Sequence, residues 1–540
     1  MFSFLVILTL ALPQTPQDGL TLFAPLEGYG THLLDINFNV VHTWNDTARP
    51  GVSAYLLPNG NLLRTYKIIG SPASQLDGAG GGIHELRWDG TEVWDYQYAS
   101  NDYLMHHDVE ILPNGNLLLM SWEDKTDAGA ILAGHDPAQL SSPLFWSERI
   151  FEIEPLSGTV VWEWHLWDHL VQDFDANLAN FGVIADNPQL VNLNFPAAPD
   201  PDGDWAHLNT VQYNAAFDQI VLSSRNLSEV WIIDHSTTTA EAATSSGGAR
   251  GHGGDLLYRW GNPQAYDRGT SADQRLFGQH DIQWIPDGYP GAGNFLVFNN
   301  GLGRTSTPWS SVDEFTPPVD SSGNYTLAPS VAFGPTGEVW TYFDTPANFY
   351  ADHISGAERM PNGNTLICDG PAGRLFEVDA AGVVVWDWTS PLPTPAQNKI
   401  FKVRRYQRSL WPGDGTLSVS SMSTVEFGMV AGSAHAGKDY ALLGTKSGIT
   451  PGSVLAGGVW LPLNQDSFTA KTLHHAGSGN LVGFAGQLDS LGNATARLRT
   501  NPVSNPALIG RTLYFAFVII DPLTGYAEFA SNPVPVEIFP

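Results

Sequence analysis

One short element recurs six times along this 540-residue chain: an apolar stretch that closes on a tryptophan. It reads NVVHTW at Trp44, TEVWDY at Trp94, TVVWEW at Trp162, LLYRW at Trp260, GEVWTY at Trp340 and VVVWDW at Trp386. A second element, L/M-P-N-G-N, stands at residues 57–61, 112–116 and 360–364, with a degenerate copy, Ile285-Pro286-Asp287-Gly288. Proline and Asn-Gly between two apolar runs signal a hairpin. The runs that follow (LLRTY, LLLMSW, TLICDG) have strand character. No long helical periodicity intervenes, so the chain reads as all-β. A repeated unit of this kind buries its apolar faces only against its neighbours. Six copies of a four-stranded unit predict a six-bladed β-propeller, with uneven loops where the spacing is uneven.

The ends of the repeat fit a closed ring. LTLFAP and THLLDI precede Trp44 without a P-N-G-N hairpin, and IFKVRRY at residues 400–406 follows the last copy. That strand is predicted to complete the blade begun by residues 20–46, which removes the exposed edges. The propeller is thus assigned to residues 19–408. Residues 412–540 lack the tryptophan element and are rich in Gly, Ala, Ser, Leu and Val. They predict a small C-terminal β-sandwich-like domain. It reads as a packing or attachment module, with His474-His475 a surface pair. The apolar run Phe2 to Leu12 is too short to span a bilayer and reads as the core of a signal peptide over residues 1–18. A secreted, periplasmic or cell-surface protein is expected. No other segment approaches a membrane span.

Lys and Arg number 25 against 55 Asp and Glu, a formal charge of -30. Such a surface repels nucleic acid and anionic lipid, so neither is an expected partner. An anionic ligand would need a locally positive pocket. The single cysteine, Cys368, rules out an intrachain disulfide and any CxxC metal or redox motif.

Alignment on the hairpins brings histidines into one register. His107 lies six residues before Pro113, His280 six before Pro286, and His207 six before Tyr213, which takes the same turn position. Equivalent positions on a strand share a face, here predicted to be the central channel. In DHISGAERMPN the equivalent position is Ser355, and His353 stands two residues earlier, on the same face. Neutral imidazole can act as nucleophile or base, and imidazolium can stabilise an anion. Three histidines also suit zinc. The chain has neither H-x-H nor H-E-x-x-H spacing, so neither a metal nor another cofactor is assigned. Arg304 ends FNNGLGR and Arg225 lies in SSRNLSEVW. The planar guanidinium fork suits a three-oxygen anion. The structural alternatives are an ion pair of Arg225 with Glu229 or Asp234, and a loop-capping role for Arg304.

The ordered motifs HHDVEILPNGN, DWAHLNTVQYN with DQIVLSSRNLSEVWIID, QHDIQWIPDG with FNNGLGR, and FYADHISGAERMPNGNTLI resemble successive blades of the bacterial arylsulfate sulfotransferases over about residues 20–408. The resemblance implies sulfuryl transfer from an aryl sulfate donor to a phenolic acceptor, through a transiently sulfated histidine and without a nucleotide cofactor. It implies His353 as the nucleophile and His207, His280 and Arg304 as groups holding the sulfuryl oxygens. His107 and Arg225 are taken as further substrate-binding residues. The family's usual disulfide is impossible here. The loop IDHSTTTAEAATSSGGARGHGGD departs from the family pattern, and its His235 and His252 read as loop histidines. Two other functions fit the same sequence: a non-catalytic secreted or surface binding propeller, and an aryl sulfate hydrolase using water as acceptor.

Overall fold

The computed structural model of the chain describes residues 15–540 apart from 58–60, 87–89, 141, 196–201, 305–306, 346–347, 407–408, 413–414, 432–434, 450–451, 457–458, 491, 501 and 503–508. The apolar run Phe2 to Leu12 and the turn of the first hairpin lie outside the described residues.

Antiparallel four-stranded sheets succeed one another along the chain, each named here by its place in that order. The first holds Arg404–Tyr406, Leu20–Phe23, Gly30–Asp35 and Val40–Asn45, in that spatial order. The second runs through Pro50–Leu56, Leu62–Lys67, Gly81–Leu86 and Glu92–Gln97. The third is Tyr103–Ile111, Leu117–Asp124, Trp146–Glu154 and Thr159–His165. The fourth is Leu208–Asn214, Gln219–Ser224, Glu229–Asp234 and Tyr258–Trp260. The fifth is His280–Trp284, Phe295–Asn299, Ser311–Phe315 and Trp340–Phe343. The sixth is Gly356–Arg359, Thr365–Asp369, Arg374–Val378 and Val384–Thr389. The fold is all-β, a β-propeller followed by a sandwich of two sheets. The strand after the last repeat pairs with the first strand of the chain, Tyr406 opposite Leu20 and Arg404 opposite Leu22.

The recurrent tryptophans occupy the fourth, outermost strand of each sheet, and their indoles show why the element repeats. Trp162 Nε1 donates to Thr237 Oγ1 at 3.1 Å, Trp260 to the Pro335 carbonyl at 2.8 Å, and Trp340 to the Ala380 carbonyl at 3.1 Å. Trp386 donates to the Ile36 carbonyl at 2.9 Å. In each case the acceptor lies between the third and fourth strands of the following sheet. The Trp386 bond therefore joins the last sheet to the first. An indole buries a large apolar body while its N–H finds a partner, which suits a seam between sheets. Cys368 is fully buried on the second strand of the sixth sheet.

The C-terminal residues form two sheets around a core of their own. Ser423–Val430 and Asn493–Thr500 lead one sheet, and Asp439–Thr445, Thr512–Ile520 and Val534–Phe539 the other. Val425, Phe427 and Met429 pack against Phe515, Phe517 and Ile519 between them. His474 and His475 are exposed at the end of the helix Ser467–His474. No helix among the described residues is long and apolar enough to cross a membrane.

His235, read from sequence as a loop histidine, clamps two sheets together. Its Nδ1 meets Asp218 Oδ1 at 2.8 Å and its Nε2 meets Glu152 Oε2 at 3.0 Å. Burial works against the charged ring, but the bonds to Asp218 and Glu152 outweigh it and raise its pKa to about 9. A pKa above the unfolded value means stability that is whole below about pH 6.5 and is lost as pH rises through about 9. Thermal unfolding across that window is expected to show a steeper loss for the parent than for His235→Gln, with the two curves converging at the alkaline end. Parallel curves would show that the clamp contributes nothing.

Candidate active site

The innermost strands carry a shared irregularity. Residues Val52, His107, His207, Asp281 and Ile354 have positive φ, at 90°, 48°, 49°, 56° and 46°. Register breaks there: between Met105 and Val109, between Leu208 and Thr210, and between His280 and Gln283. A non-glycine residue held in this region costs on the order of 1–3 kcal/mol and persists only where its surroundings impose it. At these breaks Asp108 and Asp281 are buried, Asp108 against Lys402 and Asp281 against Arg404.

His107, His207 and His280 meet in one buried cluster. The rings of His107 and His207 stand 4.7 Å apart at 70°. Phe401 lies 5.8 Å from the ring of His107 and 6.1 Å from that of His280. Each imidazole is anchored through Nδ1. His207 Nδ1 meets Asp204 Oδ2 at 2.5 Å, and His107 Nδ1 meets His106 Nδ1 at 2.8 Å. His280 Nδ1 lies 3.1 Å from the Gly278 carbonyl and 2.8 Å from Asn300 Oδ1. The amide orientation of Asn300 is fixed, because its Nδ2 donates to the carbonyls of Ala351 and Ile354 at 2.8 and 2.9 Å. Two acceptors therefore face His280 Nδ1, which must carry the proton. The lone pair is left on Nε2. None of the three Nε2 atoms meets a protein partner among the described residues.

Burial, then the charge of Arg225, pushes the pKa of His280 well below its ordinary value. Burial and the neighbouring His207 do the same to His107. Both rings are neutral at physiological pH. Arg225 sits beside them, half-buried, on the turn after the second strand of the fourth sheet. Its backbone N–H donates to the His207 carbonyl at 3.1 Å, and Nη1 donates to Asn226 Oδ1 at 2.9 Å. The ion pairs weighed for it go elsewhere: Glu229 binds Arg259, and Asp234 binds Arg250.

His353 and Arg304 are placed differently. The His353 side chain is 36% exposed, at the rim of the cluster, and pairs with its neighbour Asp352. Arg304 lies 3.8 Å over the Trp309 ring and donates to the Trp309 carbonyl at 3.4 Å and to Ser311 Oγ at 3.1 Å. Its acidic neighbour is Asp313, at 3.9 Å. Sequence reasoning passed over Asp204, Asn300 and His106, though each lies inside a quoted motif or three residues from a chosen histidine. Among the described residues, one trio with metal-ligating atoms within 4.8 Å of one another is His84, Glu92 and Asp95, on the outer strands of the second sheet.

Gly78 shapes the cluster. A Cβ there would lie 2.0, 2.1 and 2.5 Å from Nε2, Cε1 and Cδ2 of His107. These near-equal distances put the glycine against the ring face. With φ at +84° the position also favours glycine. Gly78→Ala is expected to displace the His107 ring and to slow any reaction at this cluster by about a hundredfold, the usual cost of a misplacement near 1 Å. Steady-state kinetics beside a thermal melt would check this. Parental turnover in a folded variant would remove His107 from the site.

Comparison with curated proteins gives no match. Among solved structures, a Bacteroides caccae protein of unknown function aligns at 12% identity and a TM-score of 0.39, covering 73% of this chain and all of that one. A streptogramin B lyase aligns at 11% and 0.34, covering 71% and 83%. Virginiamycin B lyase from Staphylococcus aureus, in complex with quinupristin, aligns at 11% and 0.32, covering 77% and 94%. Likeness at this level carries nothing about activity. The sequence itself matches the Arylsulfotransferase (ASST) family over residues 56–384, more than half of the chain and the span that contains every histidine of the cluster, and the protein belongs to that family.

Proposed function

We propose that this protein transfers a sulfuryl group from an aryl sulfate to a phenol through a sulfated His280, without a nucleotide. Family membership supports a transferase acting on aryl sulfates. The observation that carries the finer reading is the state of His280: neutral, with Nδ1 held by Gly278 and Asn300 and Nε2 unpartnered.

In the first half-reaction the Nε2 lone pair attacks sulfur, the S–O bond to the aryl group breaks, and a phenolate leaves. In the second, an acceptor phenol loses its proton, its oxygen attacks the sulfur, and the S–N bond breaks. His207, polarised by Asp204, and Arg225 hold the sulfuryl oxygens, where each well-placed donor is worth about 3–4 kcal/mol. His107 faces the phenolic oxygen. This reading moves the nucleophile from His353 to His280 and the oxyanion arginine from Arg304 to Arg225. It leaves His353 at the rim, where the acceptor enters. The apolar N-terminal run supports action outside the cytoplasm.

The test is incubation with a chromogenic aryl sulfate, with and without added phenol, followed by mass spectrometry of enzyme trapped without acceptor. Phenol-dependent release and a sulfated peptide containing His280 are expected. His280→Ala should abolish transfer, and Arg225→Lys should slow it by roughly a hundredfold. Sulfation at His353 would overturn the assignment of the nucleophile. Phenol-independent release would indicate a hydrolase, and no release a binding protein.

A further inference from the structure

The doublet His106-His107 has a use that the reaction as written leaves open. His106 is buried on the same strand, stacked 3.9 Å over Trp122. Its Nε2 meets Glu148 Oε2 at 2.9 Å and its Nδ1 meets His107 Nδ1 at 2.8 Å. The side chains of His106 and Glu148 are wholly shielded from solvent. The other oxygen of Glu148 accepts the backbone N–H of Leu208 at 2.8 Å, so the carboxyl is fixed from both sides. Three ionisable groups thus form one line that ends at the free Nε2 of His107.

We propose that Glu148 and His106 are positioning residues that form a proton relay ending on His107, so that His107 Nε2 is a donor in the first half-reaction and an acceptor in the second. The proposal rests on the transfer reaction set out above. In the donor state Glu148 is protonated and its O–H donates to His106 Nε2. His106 Nδ1–H donates to His107 Nδ1, and His107 carries its proton on Nε2. When the aryl S–O bond breaks, His107 gives that proton to the departing phenolate. Each proton then moves one place along the line, and the negative charge of the phenolate ends on Glu148. The acceptor phenol reverses the sequence: its proton goes to His107 Nε2 and Glu148 is protonated again. Atoms and charge balance over the two halves, and bulk solvent supplies no proton.

Burial favours the donor state, in which Glu148 is protonated. Burial and the nearby Asp204 push the Glu148 pKa well above its ordinary value. Burial holds His106 at about 3 and keeps it neutral in either tautomer. The charged and titratable groups facing the line are Asp204, His207 and Glu123 around Glu148, and His207, His280 and Arg225 around His107.

The experiment varies the leaving group. In Glu148→Gln the amide keeps its shape but cannot cycle a proton. With para-nitrophenyl sulfate, whose phenolate leaves without help, formation of sulfated enzyme should stay within a fewfold of the parent. With para-methylphenyl sulfate, whose phenolate needs the proton, it should slow on the order of a hundredfold, as for loss of general acid catalysis. Equal slowing of both donors, or of neither, would overturn the relay. The parent gives a second reading that needs no variant: a solvent deuterium isotope effect should appear with the methylphenyl donor and be near unity with the nitrophenyl donor. The same effect with both donors would also overturn it. A parent that forms no sulfated enzyme would instead count against the transfer reaction itself.

Discussion

Everything at the channel centre depends on one buried ion-pair network. Lys402 Nζ lies 2.7 Å from Asp108 and 3.7 Å from Asp281, and Arg404 meets Asp281 at 2.6 Å. Asp108 and Asp281 each follow a site histidine, and Lys402 follows Phe401. The closing strand therefore does two jobs at once. It supplies the innermost strand of the first sheet, and it locks the bulges of the third and fifth sheets from the axis. Burial opposes the charge of Asp281, but Arg404 and Lys402 outweigh it and hold its pKa below the ordinary value. Two aspartates left without these cations would carry an uncompensated buried charge, a loss of about 3–5 kcal/mol. Tyr55 adds to the same anchor, donating to Asp108 Oδ1 at 2.6 Å.

The chemistry of the site follows from what the bulge leaves available. A regular strand would keep the residues just after His107 and His280 paired in the ladder. The bulge leaves Nδ1 of each ring against a partner from nearby chain: His106, Asp204, or Gly278 with Asn300. These three partners differ, and so do the rings. A carboxylate holds Nδ1 of His207; two neutral acceptors beside His280 fix a neutral tautomer; a second imidazole beside His107 permits either. One fold register thus yields three imidazoles whose Nδ1 atoms meet three different kinds of partner, a carboxylate, an amide with a carbonyl, and a second imidazole.

Most of the architecture was legible because its signals are local. The tryptophan element marks a strand whose indole must reach the next sheet, and the P-N-G-N turn marks the hairpin before it. Each can be read within ten residues. The shared register of His107, His207 and His280 was legible for the same reason, since spacing from a turn fixes a strand face. What spacing could not convey was the partner of each Nδ1. Asn300 stands twenty residues from His280 and is oriented by carbonyls fifty residues further on. Nor could spacing show that Asp352 occupies His353 at the rim, or that Trp309 covers Arg304. His235 lies in a turn, as read, but its clamp was not legible because its partners, Asp218 and Glu152, belong to two different sheets.

The acidic balance of the chain sharpens the assignment of Arg225. A protein with formal charge -30 repels an aryl sulfate at long range, so cations must be concentrated where the anion binds. Most well-buried arginines here are already committed. Arg64 is paired with Asp46, Arg259 with Glu229, Arg359 with Glu314 and Arg405 with Glu377. These pairs link strands within and between sheets, and their charge is neutralised where it stands. Arg304 is partly answered by Asp313 and covered by Trp309. Arg225 has no carboxylate partner among the described residues, and its charge is felt by both His107 and His280. A guanidinium left uncompensated beside neutral imidazoles, inside a strongly acidic protein, is a costly arrangement for structure alone. Under the proposed function a three-oxygen anion would supply the missing counter-charge, and the planar fork of Arg225 matches such a group.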